Sequence, residues 1–310
     1  MTSHILFGAG ASYGSENDTT ITPPLGDDLF DKLVSRNGIA TDFPQEIKNV
    51  FYKQGFEYGM NAVIETYKKG NYKTVIAFQR ELAEYLLQFT PTNGNLYRKV
   101  LRKTKHHNFT YSTLNYDMLF ELSAFQLGLN VYYGGKKNNK NVINLLKPHG
   151  SVNFWPDLNG LSIGVIDGDQ PISSVVECDG KILTRSESLS ACKTETALSP
   201  SMAYYVKGKR VDFAPNVVGR QQAEWVQEIG RSRNIFIIGV RVNFEVDTHI
   251  WGNLAKCEGN IHYFGNNSDE IEFKNWGGSI SKENLHFHHG YFNEALDTIN
   301  KMKWQEQFRS

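Results

Sequence analysis

The 310-residue sequence predicts an α/β protein built on a parallel sheet flanked by helices, and three segments carry that prediction. Each is a short apolar or β-prone run that stops abruptly at glycine or polar residues. The first is His4-Ile5-Leu6-Phe7 before Gly8-Ala9-Gly10-Ala11-Ser12. The second ends in Thr113-Leu114-Asn115-Tyr116-Asp117. The third is Val142 to Leu146 before Lys147-Pro148-His149-Gly150-Ser151. Strands covered on both faces read as continuous apolar runs, and open α/β sheets bind ligands just past the carboxyl ends of their strands.

Residues 4–7 are the expected first strand. The loop after it carries Gly8, Gly10 and Gly14. Glycines let a backbone turn sharply and approach a pyrophosphate closely, with N–H groups aimed at its oxygens. The spacing Gly-x-Gly-x-x-x-Gly is one residue longer than the common dinucleotide fingerprint. No acidic residue stands out about 20 positions on, although Asp27 and Asp28 lie near there. A glycine turn after any strand reads the same way. Thr22-Pro23-Pro24-Leu25 is expected to start a helix, with Pro24 in its first turn, because Leu25, Leu29, Phe30 and Leu33 recur at helical spacing. Helical patterns then run through 44–104 with no strand signal between them, so residues 40–105 are expected to form a helical insertion or subdomain. It is too long for a plain crossover to the next strand near 108–112.

An apolar helical pattern follows Asp117 (Met118, Leu119, Leu122, Phe125). Residues 151–218 mix short β-prone runs (163–166, 175–176, Val217-Val218) with Gly, Asp, Ser and Pro, and read as an irregular insertion with short strands. Beyond it the pattern predicts a helix at 220–230, a strand at 234–240, a helix at 246–257, a strand at 260–265 and a terminal helix at 291–304. The whole, residues 1–310, reads as one domain.

Composition narrows the function. Lysine plus arginine equals aspartate plus glutamate at 33 each, so no bulk charge favours nucleic acid or a membrane surface. The basic stretch from Arg98 to His107 reads as a solvated helix face rather than a phosphate-backbone patch, and Lys136, Lys137 and Lys140 read as an exposed loop. The three cysteines, Cys178, Cys192 and Cys257, form no CxxC pair; they fit a reducing cytosol and deny a four-cysteine zinc site. No leader is visible, and no run approaches the roughly 18 apolar residues of a membrane helix. The expectation is a cytoplasmic protein without direct nucleic-acid or membrane binding and without a metal. Trp155, Trp225, Trp251 and Trp276 read as core or interface residues rather than ligand contacts, and His286, His288 and His289 are too tightly spaced for a convincing metal site.

In order and relative spacing, Gly8-Ala9-Gly10-Ala11-Ser12, Thr113-Leu114-Asn115-Tyr116-Asp117 and His149-Gly150 resemble the sirtuin-like NAD-binding domain, a Rossmann-like fold. Ile235 to Val240, followed by Phe244-Glu245-Val246-Asp247, resembles that family's late strand and loop near the adenine-side ribose. Ile261 to Asn266 resembles the next strand. The resemblance spans about residues 3–270. It implies NAD as substrate, with Gly8, Ala9, Gly10, Ser12, Thr113, Asn115, Asp117, Gly239 and Asn266 in its binding site. Asn115 would orient the ribose or the attacking water, Asp117 would accept from the carboxamide, and His149 would contact the ribose hydroxyls and act as general base. An imidazole with an ordinary pKa of about 6.5 suits that role. Asn115 and Asp117 also read as helix caps, Ser12 as a phosphate ligand or a cap, and Gly239 as a close approach or a strand end.

Within the resemblance, Leu114 stands where deacylases carry glutamine. The Pro-Asp-Phe-Arg run after the glycine loop and the zinc-ribbon cysteines are also missing. These departures point to water as acceptor: an NAD glycohydrolase giving nicotinamide and ADP-ribose, similar to bacterial anti-phage effectors that deplete NAD. With no separate sensor region, control by an infection-sensing subunit, by self-assembly or by a small ligand is expected. A protein deacylase and a non-catalytic NAD or ADP-ribose sensor are the alternatives.

Overall fold

The structure is a computed structural model. It describes residues 2–68, 70–105, 107–135, 141–159, 177–203, 211–244 and 247–307, with backbone only at Asp27 and at 303–307. The segments 163–166 and 175–176, the three loop lysines, Glu245 and Val246 lie outside the described residues.

The chain opens with β1 (Thr2–Phe7) and a short helix α1 (Ala9–Tyr13), then runs through α2 (Gly26–Val34), α3 (Gln45–Gln54), α4 (Phe56–Tyr67), α5 (Tyr72–Leu86) and α6 (Leu96–Thr104). It re-enters the sheet as β2 (Phe109–Thr113), passes α7 (Leu119–Phe125), and adds β3 (Asn130–Tyr132) and β4 (Val142–Leu146). A hairpin of β5 (Phe154–Asp157) and β6 (Asp179–Ile182) precedes α8 (Arg185–Thr194) and α9 (Pro215–Arg231). The last part alternates β7 (Ser232–Ile238), α10 (Thr248–Lys256), β8 (Asn260–Gly265), α11 (Asn267–Ile280), β9 (Leu285–His289) and α12 (Phe292–Gln307).

The main sheet has seven strands in the order β3-β4-β2-β1-β7-β8-β9. Every pairing in it is parallel. The expected Rossmann-like α/β class is therefore the fold found. After β1 the chain builds outward through β2 and β4, then returns to the other side of β1 as β7. This reversal makes β1/β7 the topological switch point, where crevices form at strand carboxyl ends.

The strands alternate between two cores. Ile5, Phe7, Tyr111 and Phe264 pack with α6, α7 and α12 on one face. Leu6, Ile237 and Tyr263 pack with Trp225, Trp251 and Trp276 of α9, α10 and α11 on the other. Burial on both faces is why β1 and β7 lack polar alternation. His4 is tolerated inside because its ring nitrogens meet Thr110 Oγ1 at 2.7 Å and Ser112 Oγ at 2.6 Å. Burial lowers its pKa to about 3, so it stays neutral.

Helices α2 to α5 share a third core, centred on Phe30, Phe51, Val63, Phe78 and Leu82. Met118, Val152, Trp155, Cys192 and Met202 contribute to it from later in the chain. Helix α6 packs on the sheet instead, as the crossover helix between β1 and β2. Its basic stretch is divided: Lys99 and Arg102 face solvent, while Arg98 is buried and donates to Asn93 and Thr92.

Several local expectations are corrected. Helix α2 begins at Gly26, so Pro24 precedes it. Val217 and Val218 lie in the first turn of α9, which starts at Pro215; proline at the first helical position supplies a suitable φ and loses no needed N–H. Helices α8 and α11 were not anticipated. Each opens with a reciprocal capping box, Thr184 with Glu187 and Asn266 with Asp269.

Candidate functional site

The carboxyl end of β1 enters the site through Gly8. The N–H of Gly8 donates to Ile238 O at 3.0 Å, and that of Gly10 donates to Gly239 O at 2.9 Å. The loop thus lies directly on the end of β7. Gly239 has φ +66, and a Cβ there would fall 2.1 Å from Ala11 N. A Cβ on Gly8 would fall 2.4 Å from Gly239 O. Glycine is required at these positions so that two backbones can meet across the switch point. Ala9, at the tip, is exposed.

Ser12, on α1, is the hub of a buried network. Its hydroxyl donates to Asp117 Oδ2 at 2.8 Å and accepts from Asn115 Nδ2 at 2.8 Å. Tyr97 OH lies 3.0 Å away. Burial, reinforced by the Asp117 charge, raises the Tyr97 pKa well above the phenol range. The phenol therefore keeps its proton and donates it to Ser12. Asn115 spends its second N–H on Gly8 O at 2.8 Å. With both donors committed, only its carbonyl oxygen is left to accept from a ligand. Thr113 Oγ1 accepts from Asn115 N at 3.1 Å and so shapes the turn after β2.

Asp117 has two jobs. Oδ2 accepts from the Ser12 hydroxyl, while Oδ1 accepts from Leu119 N, the first residue of α7, at 2.9 Å. Its backbone oxygen accepts from Lys147 Nζ at 2.6 Å. Lys147 is wholly buried and paired with Glu121 at 2.9 Å. Tyr133 OH donates to the same Glu121 oxygen at 3.2 Å. The sequence analysis did not single out Tyr97, Glu121 or Lys147 for the site.

His149 follows β4 on a tight turn. Gly150 N donates to Lys147 O at 2.9 Å, and Gly150 has φ +81. Ala203 N donates to His149 O at 2.8 Å, and Ser151 N to Ser201 O at 3.0 Å, so an incoming strand-like segment fixes the histidine backbone. Tyr116 O, accepting from Val152 N at 3.1 Å, ties this turn to the Asn115 loop. The ring of His149 faces residues at the start of α10. Its Nε2 lies 2.9 Å from Nε2 of His249 and 3.7 Å from Oδ1 of Asp247. Asp247 belongs to the loop expected near the adenine-side ribose; nothing in the sequence pattern pointed to His249.

The structure thus joins Gly8, Gly10, Ser12, Thr113, Asn115, Asp117 and Gly239 into one bonded unit, with His149 on the adjoining turn. Asn266 follows β8, the neighbour of β7, and its Oδ1 caps α11 by accepting from Ser268 N and Asp269 N. Among the described residues, one group of His, Cys, Asp or Glu side chains converges closely enough to hold a metal, namely His149, Asp247 and His249. The three cysteines are buried and free. No helix among the described residues is long and apolar enough to cross a membrane.

No family model matches the chain, and no curated protein does. Among solved structures, an ADP-ribose complex of a singly substituted Sir2 homologue aligns with all of this chain and 94% of its own, at 15% identity and a TM-score of 0.48. A Sir2 homologue–NAD complex covers 98% of this chain and 90% of its own, at 15% identity and a TM-score of 0.47. A structure concerned with the mechanism and regulation of Sir2 enzymes covers 99% and 93%, at 11% identity and a TM-score of 0.48. The α/β fold itself is defined by the strand order, independently of these neighbours.

Proposed function

We propose that the protein is an NAD glycohydrolase that cleaves the nicotinamide–ribose bond and releases nicotinamide and ADP-ribose. One observation carries this reading. At the switch point of the sheet, the glycine loop after β1 is bonded through Ser12 to Asn115 and Asp117 after β2, with His149 on the turn beside them.

The chemistry asks little of such a site. When the glycosidic bond breaks, its electron pair moves to the nicotinamide nitrogen and neutralises the ring, so no general acid is needed. The ribose carbon becomes oxocarbenium-like, water adds to it, and one proton is left over. Asn115 offers an acceptor oxygen held in a single orientation, suited to a water or a ribose hydroxyl. His149 would take the surplus proton. The carboxylate of Asp117 retains lone pairs for the carboxamide beyond those used by Ser12 and Leu119. Preorganisation by Ser12 and Tyr97 means these groups need not be reordered when the substrate binds.

The four cysteines of a zinc-ribbon module are absent from the sequence, which supports water rather than an acyl-lysine as acceptor. The resemblance to anti-phage effectors supports NAD depletion during infection as the cellular role, restrained by a partner subunit or by self-assembly. The test is to measure NAD turnover and NAD binding separately in wild type, His149→Ala and Asn115→Ala, with and without proteins encoded beside this one. Turnover lost in both variants, with binding largely kept in His149→Ala, supports hydrolysis. Binding with no turnover under any condition would replace it with the sensor reading.

A further inference from the structure

We infer that Nε2 of His149, the carboxylate of Asp247 and Nε2 of His249 form a binding site for a divalent transition metal of the zinc class. Their ligating atoms all lie within 4.8 Å of one another. Two imidazoles and one carboxylate are a donor set that suits zinc and its neighbours and does not suit magnesium or calcium.

The spacing agrees with one ion. With metal–ligand bonds of about 2.0–2.1 Å, neighbouring ligands of a tetrahedral zinc ion lie roughly 3.3–3.4 Å apart. The observed separations, 2.9 Å between the imidazole nitrogens and 3.7 Å from His149 to Asp247, fall on either side of that value. The third pair, Asp247 with His249, lies within 4.8 Å, so the side chains would draw closer together around a shared ion. The two rings are tilted by 37° with centroids 5.0 Å apart, so their edges rather than their faces meet.

The scaffold is suitable. His149 is held by the Gly150 turn and the Ala203 N–H. Asp247 is the N-cap of α10, and its backbone oxygen accepts from Ile250 and Trp251. His249 sits one residue into that helix, with its own carbonyl bonded to Asn253 Nδ2 at 2.6 Å. The His149 and Asp247 side chains are 6% and 14% exposed, sheltered yet reachable by an ion. Three ligands among the described residues match the count of sites that also admit water or an exogenous ligand.

Binding involves no redox step. Each imidazole donates a lone pair, and any proton on it is released. A metal-bound neutral imidazole carries its remaining proton on Nδ1 and has no lone pair to accept another. Occupancy would therefore silence His149 as a base and turn the metal into an inhibitor, a consequence that rests on the glycohydrolase reading.

The experiment is titration of the full-length, chelator-stripped protein with Co²⁺, in wild type, His249→Ala and Asp247→Asn, followed by displacement with Zn²⁺. The expected result is saturable 1:1 binding with the strong visible absorption of four-coordinate cobalt, reversed by zinc. Each variant should lose more affinity than the roughly 10–100-fold that outer-shell changes cost, with unchanged circular dichroism. Wild-type protein that binds no cobalt saturably, or variants that bind it as wild type does, would overturn the site. NAD takes no part in this readout, so its failure would leave the glycohydrolase reading untouched, and the reverse holds.

Discussion

Two polar clusters share the carboxyl edge of the sheet, and they are built on opposite principles. Around Ser12, Asn115 and Asp117 the Ser12 hydroxyl and both Asn115 N–H groups meet acceptors inside the protein, down to the buried Lys147–Glu121 pair beneath. Around His149 the facing groups are instead three metal-type donors, with Asp247 and His249 delivered by the start of α10. The first cluster is a rigid frame that orients one amide oxygen and one carboxylate. The second joins two imidazoles, hydrogen-bonded to each other at 2.9 Å, and a carboxylate across two strand ends. Loss of a residue that only holds the frame, such as Ser12 or Lys147, should therefore appear first as lost stability, and loss of His149 first as lost chemistry.

The sharpest contrast is expected from His149→Ala. Removal of a general base costs about 10²–10⁴-fold in rate, and nicotinamide release should fall by that order while the melting temperature barely moves. A variant that unfolds instead would move His149 into the frame. Next is Lys147→Met. It leaves the Glu121 carboxylate buried without its counter-charge, and breaking such a pair costs about 3–5 kcal/mol. Urea unfolding should show that loss, with Lys147→Met/Glu121→Leu recovering much of it; no recovery would contradict the pairing. Ser12→Ala is smaller. It strips a partner from Asp117, Asn115 and Tyr97, at about 1–3 kcal/mol for groups left unsatisfied. Its denaturation midpoint should fall, and an unchanged midpoint would remove Ser12 as the hub.

The mildest effect near neutrality comes from acid. Burial lowers the pKa of both His4 and His262 to about 3. In the unfolded chain each titrates near 6.5, so below that pH the unfolded state binds protons that the folded state refuses. The stability they permit is complete above about pH 6.5 and is lost as pH falls toward 3. The melting temperature should hold from pH 8 to 7 and decline from pH 6 to 4. A flat profile there would contradict the buried, neutral histidines.

The sequence made much of the frame readable, because strands covered on both faces leave long apolar runs and end at glycine or polar breaks. Gly8, Asn115, Asp117 and His149 were visible at three such ends. What lay beneath them was not. Lys147 and Glu121 read as ordinary polar residues, since only the fold reveals that both are wholly buried. His249 was invisible for a different reason: its partner His149 is 100 residues away in the chain. Cysteine arithmetic could test a zinc ribbon but says nothing about donors gathered from two strand ends. Helices α8 and α11 did leave a signal, the Thr184-x-x-Glu187 and Asn266-x-x-Asp269 boxes, which apolar periodicity alone passes over. Val217 and Val218 misled because β-branched residues favour strands only when nothing else decides; here Pro215 and the packing of Trp225 impose a helix.

The most direct measurement is product analysis of NAD incubated with the purified protein, alone and with the proteins encoded beside it. Nicotinamide and ADP-ribose formed in equal amounts, without any acylated peptide, is the result this account predicts. NAD that stays intact while bound in every mixture, or acyl-ADP-ribose that forms only when an acyl-lysine peptide is present, would contradict it.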